Sequence, residues 1–414
     1  MGPGATEGAG DGSGDLMGGP SGPSSALPVL REFLRLGIIG FGGPSAHLAL
    51  FRRRFVHELG WLSEQTFLDL LGTANLLPGP TSTEVALAIG QTRAGWRGLL
   101  AAGFGFIGPA AITVLVLAIG YERFGSQPAV GWLLYGIQPV VVAIVALAVA
   151  GMAPVALKGL FTWAIAGVVV AALLLGVDPL LLIVGGGVAG LAWRGVRRGA
   201  SGLGGAMAAA VVNIGRGVPG PVSPSGLRAF VLAVATGTIG LPSLFVLFLK
   251  IGLLSFGSGY VLVAFLHADL VQGLGLLTDR QLLDAVAVGQ VTPGPVYTAA
   301  TFIGYLLAGV PGAVVATVAI FLPAFVGVAL VHPFVPRLRA SPVAAALLDG
   351  VNAASLGLMA AVTVQLARAT VVDALTLVLV VGAFAALLRW PRAAVPLMVV
   401  GGVVGLGAHA VPFG

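Results

Sequence analysis

The sequence predicts an all-α, polytopic membrane protein made of two homologous repeats in inverted topology, with broken or re-entrant helices inside each repeat. Three observations predict it: an apolar composition with little charge, a duplication at nearly constant spacing, and opposite loop-charge patterns in the two copies. Of 414 residues, 57% are hydrophobic and 9% charged, against about 25% charged in a soluble domain. A mean hydropathy of +1.04 leaves too much apolar surface for soluble domains to hide from water. Uncharged runs recur at lengths near the ~20 residues that a helix needs to cross a bilayer. In lipid the backbone must satisfy its own hydrogen bonds, which leaves helices or a closed barrel. Runs such as 140–150 and 377–388 lack the alternation of barrel strands, so helices follow.

Taken from the start, residues 1–27 are rich in Gly, Pro and Ser and carry acids, with no sustained apolar run, and read as a disordered tail. They lack the basic stretch and short apolar segment of a secretory leader. The duplication begins just after. Residues 33–42, FLRLGIIGFG, return 215 residues later as FLKIGLLSFG at 248–257. At the same spacing Gly60 meets Gly275, Asp69 meets Asp284, and Pro78-Gly79-Pro80 meets Pro293-Gly294-Pro295. After a one-residue gap Gly136 meets Gly350. Two repeats are therefore expected at 28–193 and 245–410. Residues 194–244 would supply a cytoplasmic linker plus one extra crossing, near 229–246, which an inverted second repeat needs.

Loop charge sets the orientation. Arg52-Arg53-Arg54 in the first repeat aligns with His267-Ala268-Asp269 in the second, and Arg93 and Arg97 align with an uncharged stretch. Short cytoplasmic loops concentrate Lys and Arg, so these loops are expected inside in the first repeat and outside in the second. Lys158, Arg194, Arg197 and Arg198 read as inside, Glu122 as outside. Arg337, Arg339, Arg389 and Arg392 also read as inside; Arg368, on the outer side, is the exception. Trp61, Trp96 and Trp132 near helix ends read as interfacial anchors. The expected location is the cell membrane, inner or plasma, with the bilayer as partner and a homodimer left open.

The composition also excludes functions. Cysteine is absent, which removes disulfides, thiolate metal sites and cysteine nucleophiles. The five histidines are scattered, and no phosphate-binding GxxxxGK[ST] loop is present. Hence no enzyme activity, metal or cofactor is expected. The net charge of +6 lies mostly in short loops and is read as topology control, with no nucleic-acid partner.

Two segments per repeat break the helical pattern. One is Gly40-Phe41-Gly42-Gly43-Pro44, echoed by Ser255-Phe256-Gly257-Ser258-Gly259. The other runs from Asn75 through Pro78-Gly79-Pro80 to Thr81, Ser82, Thr83 and Glu84, echoed by Gln290 through Pro293-Gly294-Pro295 to Thr298. Proline removes a donor and stops a helix, and glycine permits the turn. A half-helix starting near Thr81 would offer unpaired N–H groups and partial positive charge to an anion. As a mere kink, either segment would bind nothing; repetition at matching places favours a site. Candidate binding residues are Gly42, Gly43, Asn75, Pro78, Gly79, Pro80, Thr81, Ser82, Gln290, Pro293, Gly294, Pro295 and Thr298. Arg35 and Lys250, repeat mates just before the first break, are candidate anion ligands or else interfacial residues that snorkel. Glu84 is a candidate proton carrier or counter-ion. Asp69 and Asp284 join it as candidates for coupling, with hydrogen bonds to the broken backbone as their structural reading. Glu64 and Asp279 follow the N-capping Ser63 and Thr278 and are read as helix starts.

Residues alone reach a secondary transporter with anion-friendly half-helix ends. Phe41-Gly42-Gly43-Pro44, Trp61-Leu62, Leu77-Pro78-Gly79-Pro80-Thr81 and Gly95-Trp96-Arg97-Gly98, with their second-half echoes, resemble the chromate ion transporter family over nearly the whole chain after residue 28. The resemblance implies two fused, oppositely oriented halves that expel chromate from the cytoplasm, with proton entry as a coupling to test. A permease for sulfate or another tetrahedral oxyanion, an uncoupled channel and a helical scaffold remain as alternatives. The second half departs from the pattern with Gly257-Ser258-Gly259, and it lacks an acid at the place of Glu84.

Overall fold

The computed structural model describes residues 25–41, 43–74, 77–197, 240–256, 259–331 and 341–410. Among the described residues, fourteen α-helices fall into two sets of seven. The first set is α1 (Ala26–Ile39), α2 (Gly43–Phe51, running on as a π-helical turn Arg52–Glu58), α3 (Glu64–Ala74), α4 (Thr81–Phe124), α5 (Pro128–Ala156), α6 (Leu160–Leu174) and α7 (Pro179–Arg197). Their repeat mates are α8 (Leu241–Leu254), α9 (Val261–Leu266, then the π-helical turn His267–Gly273), α10 (Asp279–Val291), α11 (Ala299–Val331), α12 (Pro342–Thr370), α13 (Ala374–Arg389) and α14 (Ala394–Ala410). Among the described residues, five stretches are long and apolar enough to cross a membrane: 81–124, 128–156, 179–196, 296–330 and 342–370. The expected tail up to residue 24, Gly42, Asn75, Arg198, Gly257, Ser258, Arg337 and Arg339 lie outside the described residues. So does the expected extra crossing up to residue 239; its remainder, from Leu241, is the start of α8.

Local chemistry starts several of these helices. Thr278 accepts from the Gln281 N–H while the Gln281 side chain accepts from the Thr278 N–H, a reciprocal cap on α10. Asp373 caps α13 in the same way through Thr376. Ser63 accepts from the Thr66 N–H at the head of α3.

Each set opens with two helical hairpins that turn inside the bundle. α1 and α2 meet at Gly40–Phe41, yet Glu32 near the start of α1 binds Arg54 just beyond α2 at 2.8 Å, and Phe33 packs on Phe55. The chain therefore enters and returns to the same end. Hydrogen bonds from Arg54 and Arg53 hold the Glu58 carboxyl below its ordinary range there. α3 runs inward to Pro78-Gly79-Pro80, and the first arm of α4 runs back out. That α4 is two arms follows from non-helical backbone at Ala94–Gly95 and from Gly90 touching the Gly98 backbone, which a straight helix would hold about 12 Å apart. The return places Arg93 5.2 Å over the Trp61 ring, at the same end as Arg54. The second set repeats this turn at Ala308–Gly309, with Gly304 against Gly312.

Contacts assign the two ends. The long arm of α4 leads away from Arg93 to Glu122, which accepts from Tyr305 beside the second set's turn. Lys158 and Arg194, at the Arg-rich end, bind Asp349 and the Pro342 carbonyl near the head of α12. At the far end of that helix, Asp373 accepts from Tyr135 near the head of α5. Asp269 feels the charge of Asp178 at this far end and accepts from Lys250. The hairpins of the first set thus open at one end of the bundle and those of the second set at the other, which is the inverted repeat. The later helices are exchanged between halves. α5 packs on α13 and α14, and α12 on α6 and α7. The crossings are tight because small residues face each other: Gly136 meets Gly401 and Gly405, and its mate Gly350 meets Gly186 and Gly190.

Cysteine labelling checks this arrangement in a chain with no cysteine of its own. His267 is buried and bonded to Asp279, so the neighbouring exposed Gln272 is the usable reporter. Arg53→Cys and Gln272→Cys should react with an impermeant thiol reagent from opposite faces of a sealed vesicle. Reaction from one face alone would refute inversion.

Candidate functional site

The four breaks meet in pairs across the two halves. The Gly79 N–H donates to the Ser255 carbonyl at 2.9 Å, and the Gly294 N–H donates to the Gly40 carbonyl at 2.8 Å. Both pairs join repeat-equivalent atoms, so each Pro-Gly-Pro turn of one half seats in the Phe-Gly break of the other. Pro78 and Phe256 add an extended-backbone bridge. Gly79 and Gly294 have φ of 142° and 102°, which L-residues with side chains rarely adopt. They also touch the opposite half: Gly79 faces Ala324 and Gly294 faces Ala110.

Around this crossing lie polar groups that are almost fully buried. α4 starts at Thr81 with Pro80 before it; the Thr83 and Glu84 N–H groups donate to the Pro80 carbonyl, which leaves those of Thr81 and Ser82 without a partner inside the helix. Ser82, Thr83 and Glu84 follow, all buried. Glu84 lies against Gly79, and neither of its carboxyl oxygens has a hydrogen-bond partner among the described residues. The Thr83 hydroxyl is in the same state. From the other half comes Tyr297, fully buried, beside Ser255 and within electrostatic reach of Glu84.

Of the sequence candidates, the crossing gathers Gly43, Pro78, Gly79, Pro80, Thr81, Ser82, Glu84, Gln290, Pro293, Gly294, Pro295 and Thr298. Gln290 accepts from Tyr260, whose hydroxyl overlies Gly43. Thr298 returns its hydroxyl to the Pro295 carbonyl. Arg35 and Lys250 are not brought together. Arg35 is exposed in a cleft of about 150 Å³ beside Arg53, Arg54 and Glu58. Lys250 binds Asp269 at 2.9 Å near the opposite end. The two aspartates also part company. Asp284 is buried and accepts from Tyr121 and Gln138 of the first half, side chains where broken backbone was expected. Asp69 is exposed and accepts from Gln65.

His47 and Tyr297 were not singled out from sequence. His47 Nε2 lies 2.9 Å from the Gly40 carbonyl, and Nδ1 lies 3.4 Å from the Ser82 hydroxyl. A carbonyl only accepts, so the proton sits on Nε2 and Ser82 donates to Nδ1. At the repeat spacing Ser82 corresponds to Tyr297 and His47 to Leu262. One half fills the space beside its break with a small serine and a histidine, the other with a tyrosine and a leucine. The alignment signal was the pairing of a small with a large residue at 82 and 297.

A cavity of about 550 Å³ leads to this crossing from the Arg-rich end. Its inner wall includes Thr81, Pro44, Phe256 and Gly259, and its mouth holds Lys158 and Asp349. Among the described residues, no cluster of His, Asp or Glu fits a metal ion.

Inverted repeats, re-entrant hairpins and a helix N-terminus at the head of a cavity define a multi-pass membrane protein of the transporter class. Residues 27–191 and 242–406 each match the Chromate transporter family, and the chain belongs to it. A chromate transport protein of Cupriavidus metallidurans is 32% identical over 92% of both chains. One of Pseudomonas aeruginosa is 33% identical over 84% of this chain and 82% of its own. A probable chromate transport protein of Synechococcus elongatus is 30% identical over 89% and 91%. No solved structure matches the chain.

Proposed function

We propose that this protein exports chromate from the cytoplasm across the cell membrane, with proton entry as the driving force. The observation that carries the reading is the crossing itself. The N-terminus of α4 faces a cavity from the Arg-rich end, directly beside the paired breaks. A helix N-terminus carries about half an elementary positive charge and oriented N–H donors, which suit an oxyanion. The Arg-rich end is taken as cytoplasmic by loop charge, so the cavity would load from the cytoplasm. Two of the relatives named above are chromate transport proteins and the third is a probable one, which supports the substrate. Glu84 supports the coupling. A lone ionised carboxylate is costly in a buried place without partners, so Glu84 would change protonation as the crossing opens to water.

Sulfate shares the charge and tetrahedral shape of chromate, which keeps a sulfate-like permease as the second reading. Everted vesicles separate the readings. Labelled chromate should accumulate when the lumen is acidic and should resist a tenfold excess of sulfate, a contrast worth about 1.4 kcal/mol. Stronger inhibition by sulfate would favour the permease. Downhill flux indifferent to a pH gradient would leave an uncoupled channel.

A further inference from the structure

We propose that Lys158 is the docking cation through which the oxyanion enters the cavity, with Asp349 as the resident counter-charge that the anion displaces. The proposal rests on the chromate reading and extends it to a residue whose loop charge accounts only for topology. Lys158 Nζ lies 2.7 Å from Asp349 Oδ1, and both line the mouth of the cavity that ends at Thr81 and Phe256. The remaining polar side chains of that cavity are Ser45, Thr81 and Asn352, all uncharged. Among the described residues that line this cavity, Lys158 is therefore the one cation that an anion meets on its way to the head of α4.

An ammonium has three donors. One is taken by Asp349, and the side chain is 62% exposed, so the others remain open to an incoming anion. An ion pair this exposed adds little stability. Its effect on binding is larger, because a carboxylate at the mouth repels a dianion and competes for the same ammonium. That competition suits a transporter, which must release its cargo. The identity of the cation fits as well. Only two of the 21 cationic residues are lysines, and the other, Lys250, binds Asp269 at the opposite end. Arginine would grip an oxyanion with a planar fork, whereas lysine offers a compact charge that lets go more readily.

Initial rates of chromate uptake into everted vesicles, measured against chromate concentration at fixed ionic strength, test the proposal. Lys158→Gln should raise the half-saturating concentration about tenfold, the loss of one hydrogen bond to a charged group. Asp349→Asn should lower it about threefold. Lys158→Arg should lower it and also slow the maximal rate. Thermal unfolding of each purified variant shows that it folds. If Lys158→Gln saturates like the parent, or if Asp349→Asn weakens uptake as much as Lys158→Gln does, the pair is only a tether between the α5–α6 connection and α12 and the proposal falls. If the parent itself takes up neither chromate nor sulfate, the functional reading fails, and this inference goes with it.

Discussion

Glu84→Gln should abolish the response of chromate transport to a pH gradient while leaving the protein folded. Glutamine keeps the shape of the neutral acid, and the Glu84 oxygens have no hydrogen-bond partners to lose among the described residues. Its unfolding temperature should match that of the parent or exceed it. An uncompensated buried charge costs several kcal/mol, so a group that gains and loses that charge can link proton movement to opening of the crossing. Accumulation driven by an acidic lumen should drop at least tenfold, to the level of downhill flux, about 1.4 kcal/mol of lost coupling. Equilibrium chromate binding to the purified protein should persist. Binding that falls with the coupling would make Glu84 a counter-ion instead. Full transport with unchanged pH dependence would remove Glu84 from the mechanism.

Alanine at the two crossing glycines should be strongly and unequally damaging. Both positions have backbone that an L-residue rarely adopts, at a cost of about 1–3 kcal/mol. Their surroundings differ. A Cβ on Gly79 would first meet Glu84 Oε1, at 3.0 Å, the far end of a flexible side chain. A Cβ on Gly294 would meet the Ala110 Cβ at 2.6 Å, which can yield only by moving the long arm of α4. Gly294→Ala should therefore unfold at the lower temperature of the two, and both should lose most chromate transport, because each turn seats in the opposite half. Thermal melts and vesicle uptake of the two variants check this. Equal melting temperatures, or parent-like transport by Gly294→Ala, would show that the paired breaks do not set the geometry of the site.

The sequence showed much of the architecture because the relevant signals are local and repeated. Hydropathy separates lipid from water residue by residue. The Pro-Gly-Pro turns at 78–80 and 293–295 mark themselves by what proline and glycine do to a helix. Loop arginines report the side they face. These signals led to two inverted repeats with broken helices, and to Thr81 as a helix start, where α4 begins.

Partners distant in sequence were a different matter. That Gly79 binds Ser255 and Gly294 binds Gly40 follows from the two-fold relation of the halves, which no window of sequence contains. The same relation puts repeat mates at opposite ends, so Arg35 and Lys250, matched in sequence, share no site in space. His47 reads as a lone histidine until α2 lies against α4 and its ring falls between Gly40 and Ser82. Lys158 reads as a topology charge until the connection from α5 to α6 meets α12 at Asp349. By itself the sequence determined the solvent, the duplication, the inversion and the places where helices break, since each is written in local composition and charge. Tertiary structure alone decided which breaks meet and which charges pair. A hydrogen bond or ion pair needs its atoms within about 3 Å, and only the packed bundle brings residues more than 170 positions apart to that distance.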